Sequence, residues 1–100
     1  MKFLERMTHY TRASDEEIME KEKRYDALEE RLGGFPPKTR FRLVYGSEKS
    51  TAFVWERIWD SWDAIYQAYS REFADPEHAK INQSEPDFGP FRRELFYVME

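Results

Sequence analysis

The segment TAFVWERIWD, residues 51–60, carries bulky apolar side chains on both of its alternating sides. A β-strand points successive side chains to opposite faces of its sheet. As a strand, this segment has Phe53, Trp55, Arg57 and Trp59 on one face and Ala52, Val54, Glu56 and Ile58 on the other. A small domain usually has only enough helix to cover one sheet face. The second face therefore needs another cover, and this requirement constrains the fold more than any other feature.

The composition limits the class of protein. A chain of 100 residues is expected to form one domain, residues 1–100, with a core of modest size. Its net charge of −4 argues against nucleic acid and against an anionic membrane as partners, because both attract basic surfaces. It has no cysteine, and hence no disulfide or cysteine-based metal site. No segment has the apolar length of a membrane span, so we expect a cytoplasmic protein with no membrane partner.

Start and stop signals divide the first half of the chain into secondary-structure elements. Near-alternation of apolar and polar residues predicts a strand over about residues 2–12. Ser14 and Glu17 have the spacing of a capping box, and Gly33 with Gly34 ends the helix that it starts. Within that helix, the run DEEIMEKEKR is predicted to be a solvated face. Residues 38–46 alternate again and are expected to pair antiparallel with residues 51–60 through the turn GSEKS.

The second half begins with the strongest helical pattern in the chain. After Asp60 and Ser61, apolar residues recur at helical spacing: Trp62, Ile65, Tyr66, Tyr69 and Phe73. Asp75 as a cap and Pro76 at the first helical position predict a short extra helix. The segment FRRELFYVM, residues 91–99, closes the chain as the last strand.

The order β-α-β-β-α-β predicts an α+β, ferredoxin-like split βαβ fold with a four-stranded antiparallel sheet. Right-handed crossovers put both helices on one side of such a sheet. A second copy of the sheet is the simplest cover for the other side. We therefore predict a homodimer joined through the sheet face, which is a dimeric α+β barrel.

Two short motifs resemble the NIPSNAP-like family of the dimeric α+β barrel superfamily. VWERIWDSWDAI is similar to that family's strand-to-helix segment, with Trp55 and Glu56 matching its Trp-Glu pair. FADPEHAKI is similar to its turn, with Asp75, Pro76 and Glu77 matching. His78 stands where an aromatic residue is common in the family. The superfamily includes monooxygenases, lactone isomerases, haem-handling enzymes and domains without assigned activity, and the resemblance carries over no catalytic residue.

The candidate catalytic groups are His9 and His78, because histidine is the side chain that titrates near neutral pH by default. In this topology both residues could reach the layer between sheet and helices, where they could act as acid and base or supply two metal ligands. The alternative is one surface histidine and one structural, hydrogen-bonded histidine. The sequence has no third histidine and no close ligand spacing, so we predict no metal and no cofactor.

Aromatic side chains are the candidates for a ligand pocket. Tyr45, Trp55 and Tyr66, together with Tyr69, could line a site for a flat aromatic or isoprenoid molecule, with the phenol groups fixing its orientation. The alternative is ordinary core packing. The arginines Arg40, Arg42, Arg57, Arg92 and Arg93 could collect an anionic substrate, or else pair with glutamates such as Glu56 and Glu94 across strands.

Two classes of function follow. The first is a small-molecule site in each subunit, of the cofactor-independent oxygenase or isomerase type, which acts on an aromatic or lactone-like compound. The second is a non-catalytic ligand-binding or assembly domain. The sequence does not choose between an enzyme and a binding domain, and what separates the two is whether His9, Tyr45 and Trp55 face an open cavity.

Overall fold

The computed structural model describes residues 1–49 and 51–99. The strands are β1 (Phe3–Tyr10), β2 (Thr39–Arg42), β3 (Ala52–Trp59) and β4 (Phe91–Tyr97). The helices are α1 (Asp15–Leu32), α2 (Trp62–Ala74) and α3 (Pro76–Gln83). The predicted ferredoxin-like order β-α-β-β-α-β is confirmed, and α3 is the predicted extra helix.

Contacts within the chain divide it into two compact units. The sheet unit consists of residues 1–12, 36–62 and 88–100, and it holds strands β1 to β4. The helical unit consists of residues 13–35 and 63–87, and it holds α1, α3 and the part of α2 after Trp62.

The sheet is antiparallel with the strand order β2-β3-β1-β4. In the register of β1 and β3, Glu5 lies opposite Arg57, and Met7 lies opposite Trp55. These residues share one face, which we call the buried face. Its most buried side chains are Glu5, Met7, Phe53, Trp55, Arg57 and Trp59.

The opposite face, which we call the open face, keeps large apolar side chains exposed. Phe41 is 47% exposed, Ile58 is 45% exposed and Phe96 is 41% exposed. The smaller side chains of Thr8 and Ala52 on this face are buried. The segment 51–60 therefore does contribute to two apolar faces, as its sequence pattern predicts, and on one of them residues 1–49 and 51–99 leave large apolar side chains exposed.

Strand β2 is shorter than the sequence predicts. The predicted strand covers residues 38–46, but β2 ends at Arg42. The Leu43 N–H still donates to the Ala52 carbonyl at 3.3 Å, whereas the Ala52 N–H donates to Lys49 at 2.9 Å and not to β2. Pairing therefore ends after Leu43, and residues 43–49 form a loop, which we call the arm.

Helix α1 begins and ends as predicted. The Glu17 N–H donates to Ser14 Oγ at 3.2 Å, and the Ser14 N–H donates to Glu17 Oε1 at 3.0 Å. These hydrogen bonds lower the pKa of the Glu17 carboxyl group, because they favour its ionised form. The helix stops before Gly33, whose φ of 76° is unfavourable for other residues.

Burial along the helices differs from the prediction in two places. Lys21 and Glu22 are buried, although they belong to the run predicted to be a solvated face. On α2 the buried residues are Ala68, Tyr69 and Glu72, whereas most of the predicted stripe is exposed. Tyr69 belongs both to the predicted stripe and to the buried residues. The buried side of α2 is therefore rotated away from the centre of the predicted stripe.

Helix α3 starts as the sequence predicts. The Asp75 side chain accepts a hydrogen bond from the Glu77 N–H at 3.0 Å, and Pro76 occupies the first helical position. The pKa of the Asp75 carboxyl group is lowered by this hydrogen bond and by a second one from Arg31.

Candidate functional site

The five residues that the sequence predicts for a site fall into both units. His9, Tyr45 and Trp55 belong to the sheet unit, and Tyr66 and His78 belong to the helical unit. Within the sheet unit, His9 and Trp55 lie on the buried face, whereas Tyr45 lies on the arm. The sheet unit therefore does not bring Tyr45 together with His9 and Trp55, and the roles of the five residues stay predictions.

His9 lies among three phenylalanine rings. The strand register places Phe53 of β3 and Phe91 of β4 on either side of it, each with its ring centroid 6.0 Å from the imidazole. Phe88, in the segment before β4, lies 5.1 Å away. The imidazole can donate or accept a proton there, and the rings around it have the flat apolar character that an aromatic ligand would contact.

Trp55 lies between two cations on the buried face. The Lys38 Nζ is 4.4 Å from the centre of its ring, and the Arg57 guanidinium is 4.7 Å from the same centre. The same guanidinium is 5.2 Å from the centre of the Trp59 ring. The electron-rich faces of both indoles therefore contribute to holding Arg57 in the sheet.

Glu5 is the centre of a buried polar cluster that sequence reasoning did not find. Its Oε1 atom accepts hydrogen bonds from Arg57 Nε at 3.2 Å and from Trp59 Nε1 at 2.9 Å. Its Oε2 atom lies 3.3 Å from Arg93 Nε on β4. Three donors from two strands converge on one carboxylate, so this cluster joins β1 to both of its neighbours.

The signal for the Glu5 cluster was present in the sequence in part. Arg57 lies on the same face of β3 as three aromatic residues, since all four are spaced two positions apart. This spacing identifies a charged side chain on an apolar face. Its partner depends on the register of β1 against β3, which local patterns do not give. The sequence alternative that arginines pair with glutamates across strands is confirmed here, and also for Arg6 with Glu56 at 2.7 Å.

The open face and the arm form a groove of about 510 Å³ in the sheet unit. Phe41, Val54 and Glu56 contribute from the strands, and Leu43, Val44, Tyr45 and Glu48 contribute from the arm. Tyr45 is 96% exposed. The predicted pocket residue Tyr45 thus lines an open groove, whereas Trp55 points to the other face of the same sheet.

The arm is fastened to the sheet by Glu48. The Tyr10 hydroxyl group donates to Glu48 Oε2 at 3.0 Å, and Arg92 of β4 donates to the same oxygen. Burial, followed by the hydrogen bond to Glu48, raises the pKa of the Tyr10 hydroxyl group. Tyr10 therefore remains a hydrogen-bond donor over the physiological pH range, and the groove wall is held in place without a ligand.

The two helical-unit candidates have different surroundings. Tyr66 is 69% exposed on α2. His78 lies with Nε2 3.6 Å from Glu72 Oε1 and with Nδ1 3.4 Å from Asn82 Nδ2. The Tyr25 and Phe73 rings lie 6.2 and 5.1 Å from its own. Either role predicted for His78 agrees with these contacts, because a charged or a neutral imidazole can use them.

Lys21 holds the segment that follows α3. Its Nζ atom donates to the Ser84 carbonyl at 2.9 Å and to the Pro86 carbonyl at 2.8 Å. Burial lowers the pKa of this ammonium group. In the helical unit, this contact explains why a lysine in a highly charged run is buried.

Comparisons with known proteins support the fold. No protein-family model and no curated protein matches the chain. Among solved structures, a NIPSNAP family protein of unknown function from Agrobacterium tumefaciens is 15% identical, with a TM-score of 0.75 over 97% of this chain and 87% of that one. This is the family that the sequence motifs resemble.

Two further solved structures share the fold. SnoaB, a cofactor-independent oxygenase from Streptomyces nogalater, is 21% identical, with a TM-score of 0.64 over 99% of this chain and 92% of that one. A dimeric ferredoxin-like protein of unknown function from Jannaschia sp. is 13% identical, with a TM-score of 0.63 over 98% of this chain and all of that one. None of the helices in the described part of the chain has the length and apolar character of a membrane span.

Proposed function

We propose that the protein works as a homodimer, joined through the open face of its sheet, that binds a small aromatic or lactone-like molecule. The open face is the observation that carries this proposal. Phe41, Ile58 and Phe96 remain two-fifths exposed or more on it. Full burial of one such side chain is worth about 1.5–3 kcal/mol, and an uncovered apolar face promotes association.

A second copy of the chain fits this face because its charges are already paired. Arg6 pairs with Glu56 at 2.7 Å, and Arg92 contacts both Glu48 and Glu94. Two copies related by a two-fold axis bring the same patch together, so unpaired like charges would repel each other. Their pairing within each chain removes that obstacle. The similar Jannaschia protein is described as dimeric, which supports the same assembly here.

Replacing Ile58 by lysine is expected to separate the two copies, because it places a charge among the exposed apolar side chains of the proposed interface. Light scattering at micromolar concentration should give twice the chain mass of 12.2 kDa for the unmodified protein and 12.2 kDa for Ile58→Lys. The control is Met19→Lys, which alters a residue of similar exposure on α1 and should remain dimeric. An unmodified protein with the mass of one chain would refute the homodimer.

A catalytic role is the second candidate, and the surroundings of His9 favour it. Three phenyl rings at 5.1–6.0 Å give this histidine the kind of wall that an aromatic substrate would contact. A base in that position can remove an acidic proton from such a substrate. The similarity to SnoaB, a cofactor-independent oxygenase, supports the same class of reaction.

His9→Gln separates the enzyme from the non-catalytic binding domain. If His9 is the base, the protein should accelerate oxygen uptake by anthrone, an aromatic compound with an acidic C–H bond. The variant should lose that activity and keep its melting temperature. If His9 is structural, the substitution should instead cost about 1–3 kcal/mol of stability because it disturbs a partly buried polar group. If the unmodified protein shows no oxygen uptake and His9→Gln is destabilised, catalysis by His9 is excluded.

A further inference from the structure

The groove between the open face and the arm has apolar walls. Phe41 and Val54 form the sheet side, and Leu43, Val44 and Tyr45 form the arm side. Its volume of about 510 Å³ is within the range of sites for small organic molecules. The two aromatic rings in the walls favour a flat occupant, since a flat molecule can stack on them.

The charges around the groove exclude a charged occupant. Glu56 in the wall is paired with Arg6, and Glu48 in the wall is paired with Arg92. Arg42 ends β2 opposite Phe53, so its side chain belongs to the buried face, and it donates to the Thr11 carbonyl at 3.4 Å. An ionised ligand would lose its hydration in the groove and gain no counter-charge of its own, which is unfavourable. The groove therefore matches a molecule without net charge.

The end of the arm next to β3 is held in position before any ligand arrives. Glu48 anchors the arm to β1 through Tyr10 and to β4 through Arg92. The Lys49 ammonium group lies 5.1 Å from the centre of the Tyr10 ring and adds a further contact between arm and sheet. An arm that is already anchored at one end loses less entropy when a ligand binds, and the Tyr45 side chain, which is 96% exposed, is the part that the ligand would order.

We propose that this groove binds a neutral, flat, apolar molecule, and that the second copy on the open face closes its mouth. The inference rests on the homodimer proposed above and adds to it the ligand class and the position of the site. Tyr45 is then the aromatic wall residue whose loss should be most visible, because it is not needed for the packing of the sheet.

Two fluorescent probes with the same skeleton test the ligand class. N-phenyl-1-naphthylamine is neutral, and 1-anilinonaphthalene-8-sulfonate carries a sulfonate group. Titration of the unmodified dimer should give a Kd for the neutral probe that is at least about tenfold lower, because the groove provides no counter-charge for the sulfonate. Tyr45→Ser should weaken binding of the neutral probe by about tenfold through the loss of an aromatic wall. Tyr97→Ser, at an exposed tyrosine of β4 that is not part of the groove lining, should leave that Kd unchanged.

Three outcomes would overturn the inference. The first is equal affinity for both probes, and the second is a neutral-probe Kd that Tyr45→Ser does not change. The third is a fall of Tyr45→Ser to the mass of one chain in light scattering, which would mean that side chains of the second copy fill the groove. An unmodified protein that is monomeric but binds the neutral probe through Tyr45 would refute the dimer and retain the site.

Discussion

Replacing Glu5 by glutamine is expected to lower the free energy of unfolding by about 3–5 kcal/mol, the usual effect of breaking a buried ion pair. The Arg57 side chain is 1% exposed, so water cannot replace the lost carboxylate. Glutamine keeps one oxygen for Trp59 Nε1, but it presents an uncharged amide to Arg57 and Arg93. The buried Arg57 guanidinium then loses the negative charge that the Glu5 carboxylate supplied.

Urea unfolding followed by tryptophan fluorescence measures this loss. The matched control is Asp60→Asn, whose ion pair with Lys2 is 89% and 56% exposed at the two side chains. That pair is accessible to solvent, so its loss should cost less than about 1 kcal/mol. Similar losses for both variants would show that burial of the Glu5 cluster does not matter for stability.

Gly89→Ala is expected to destabilise the sheet unit by on the order of 3 kcal/mol. Gly89 has a φ of 70°, a conformation that costs other residues about 1–2 kcal/mol. An added Cβ atom would also meet the Tyr10 carbonyl oxygen, and this backbone atom cannot rotate away. To relieve the clash, the backbone has to move apart at this point. That movement disturbs the 2.9 Å hydrogen bond that the Tyr10 N–H donates to the Pro90 carbonyl.

Gly33→Ala separates the two contributions. Gly33 has a similar φ of 76°, but an added Cβ atom there meets nothing within 4 Å. With a ψ of 160°, Gly33 lies in a region that is essentially restricted to glycine, so this variant should lose only a conformational part of about 1–3 kcal/mol. If Gly89→Ala lost no more than about 1–2 kcal/mol in urea unfolding, the approach of Gly89 to Tyr10 would carry no cost.

Local signals in the sequence predicted the element boundaries well where a few neighbouring residues decide them. The capping box of Ser14 and Glu17 and the cap of Asp75 before Pro76 are present in the structure as predicted. The predicted end of β2 was wrong because the true end depends on the Ala52 N–H, which donates to the Lys49 carbonyl in the turn. The alternation of residues 38–46 does not show whether the Ala52 N–H will donate to β2 or to Lys49.

Burial of charged residues could not be predicted from local patterns. Lys21 is surrounded in the sequence by acidic and basic residues, and its partners, the Ser84 and Pro86 carbonyls, lie more than sixty positions away. Glu5 likewise depends on strand pairings with distant segments. For the candidate site, the sequence proposed Tyr45 for its aromatic character, but the groove exists because β2 ends early and frees the arm.

The intrinsic fluorescence of the three tryptophans reports on two different parts of the chain. Trp55 and Trp59 are buried in the sheet beside the Arg57 guanidinium, whereas Trp62 is exposed and meets Phe3 edge-on at 6.1 Å. A soluble quencher reaches an exposed indole readily and a buried one only after the sheet opens. Quenching of the intact protein therefore reports on the surface around Trp62, and the emission that resists quenching reports on the integrity of the strands.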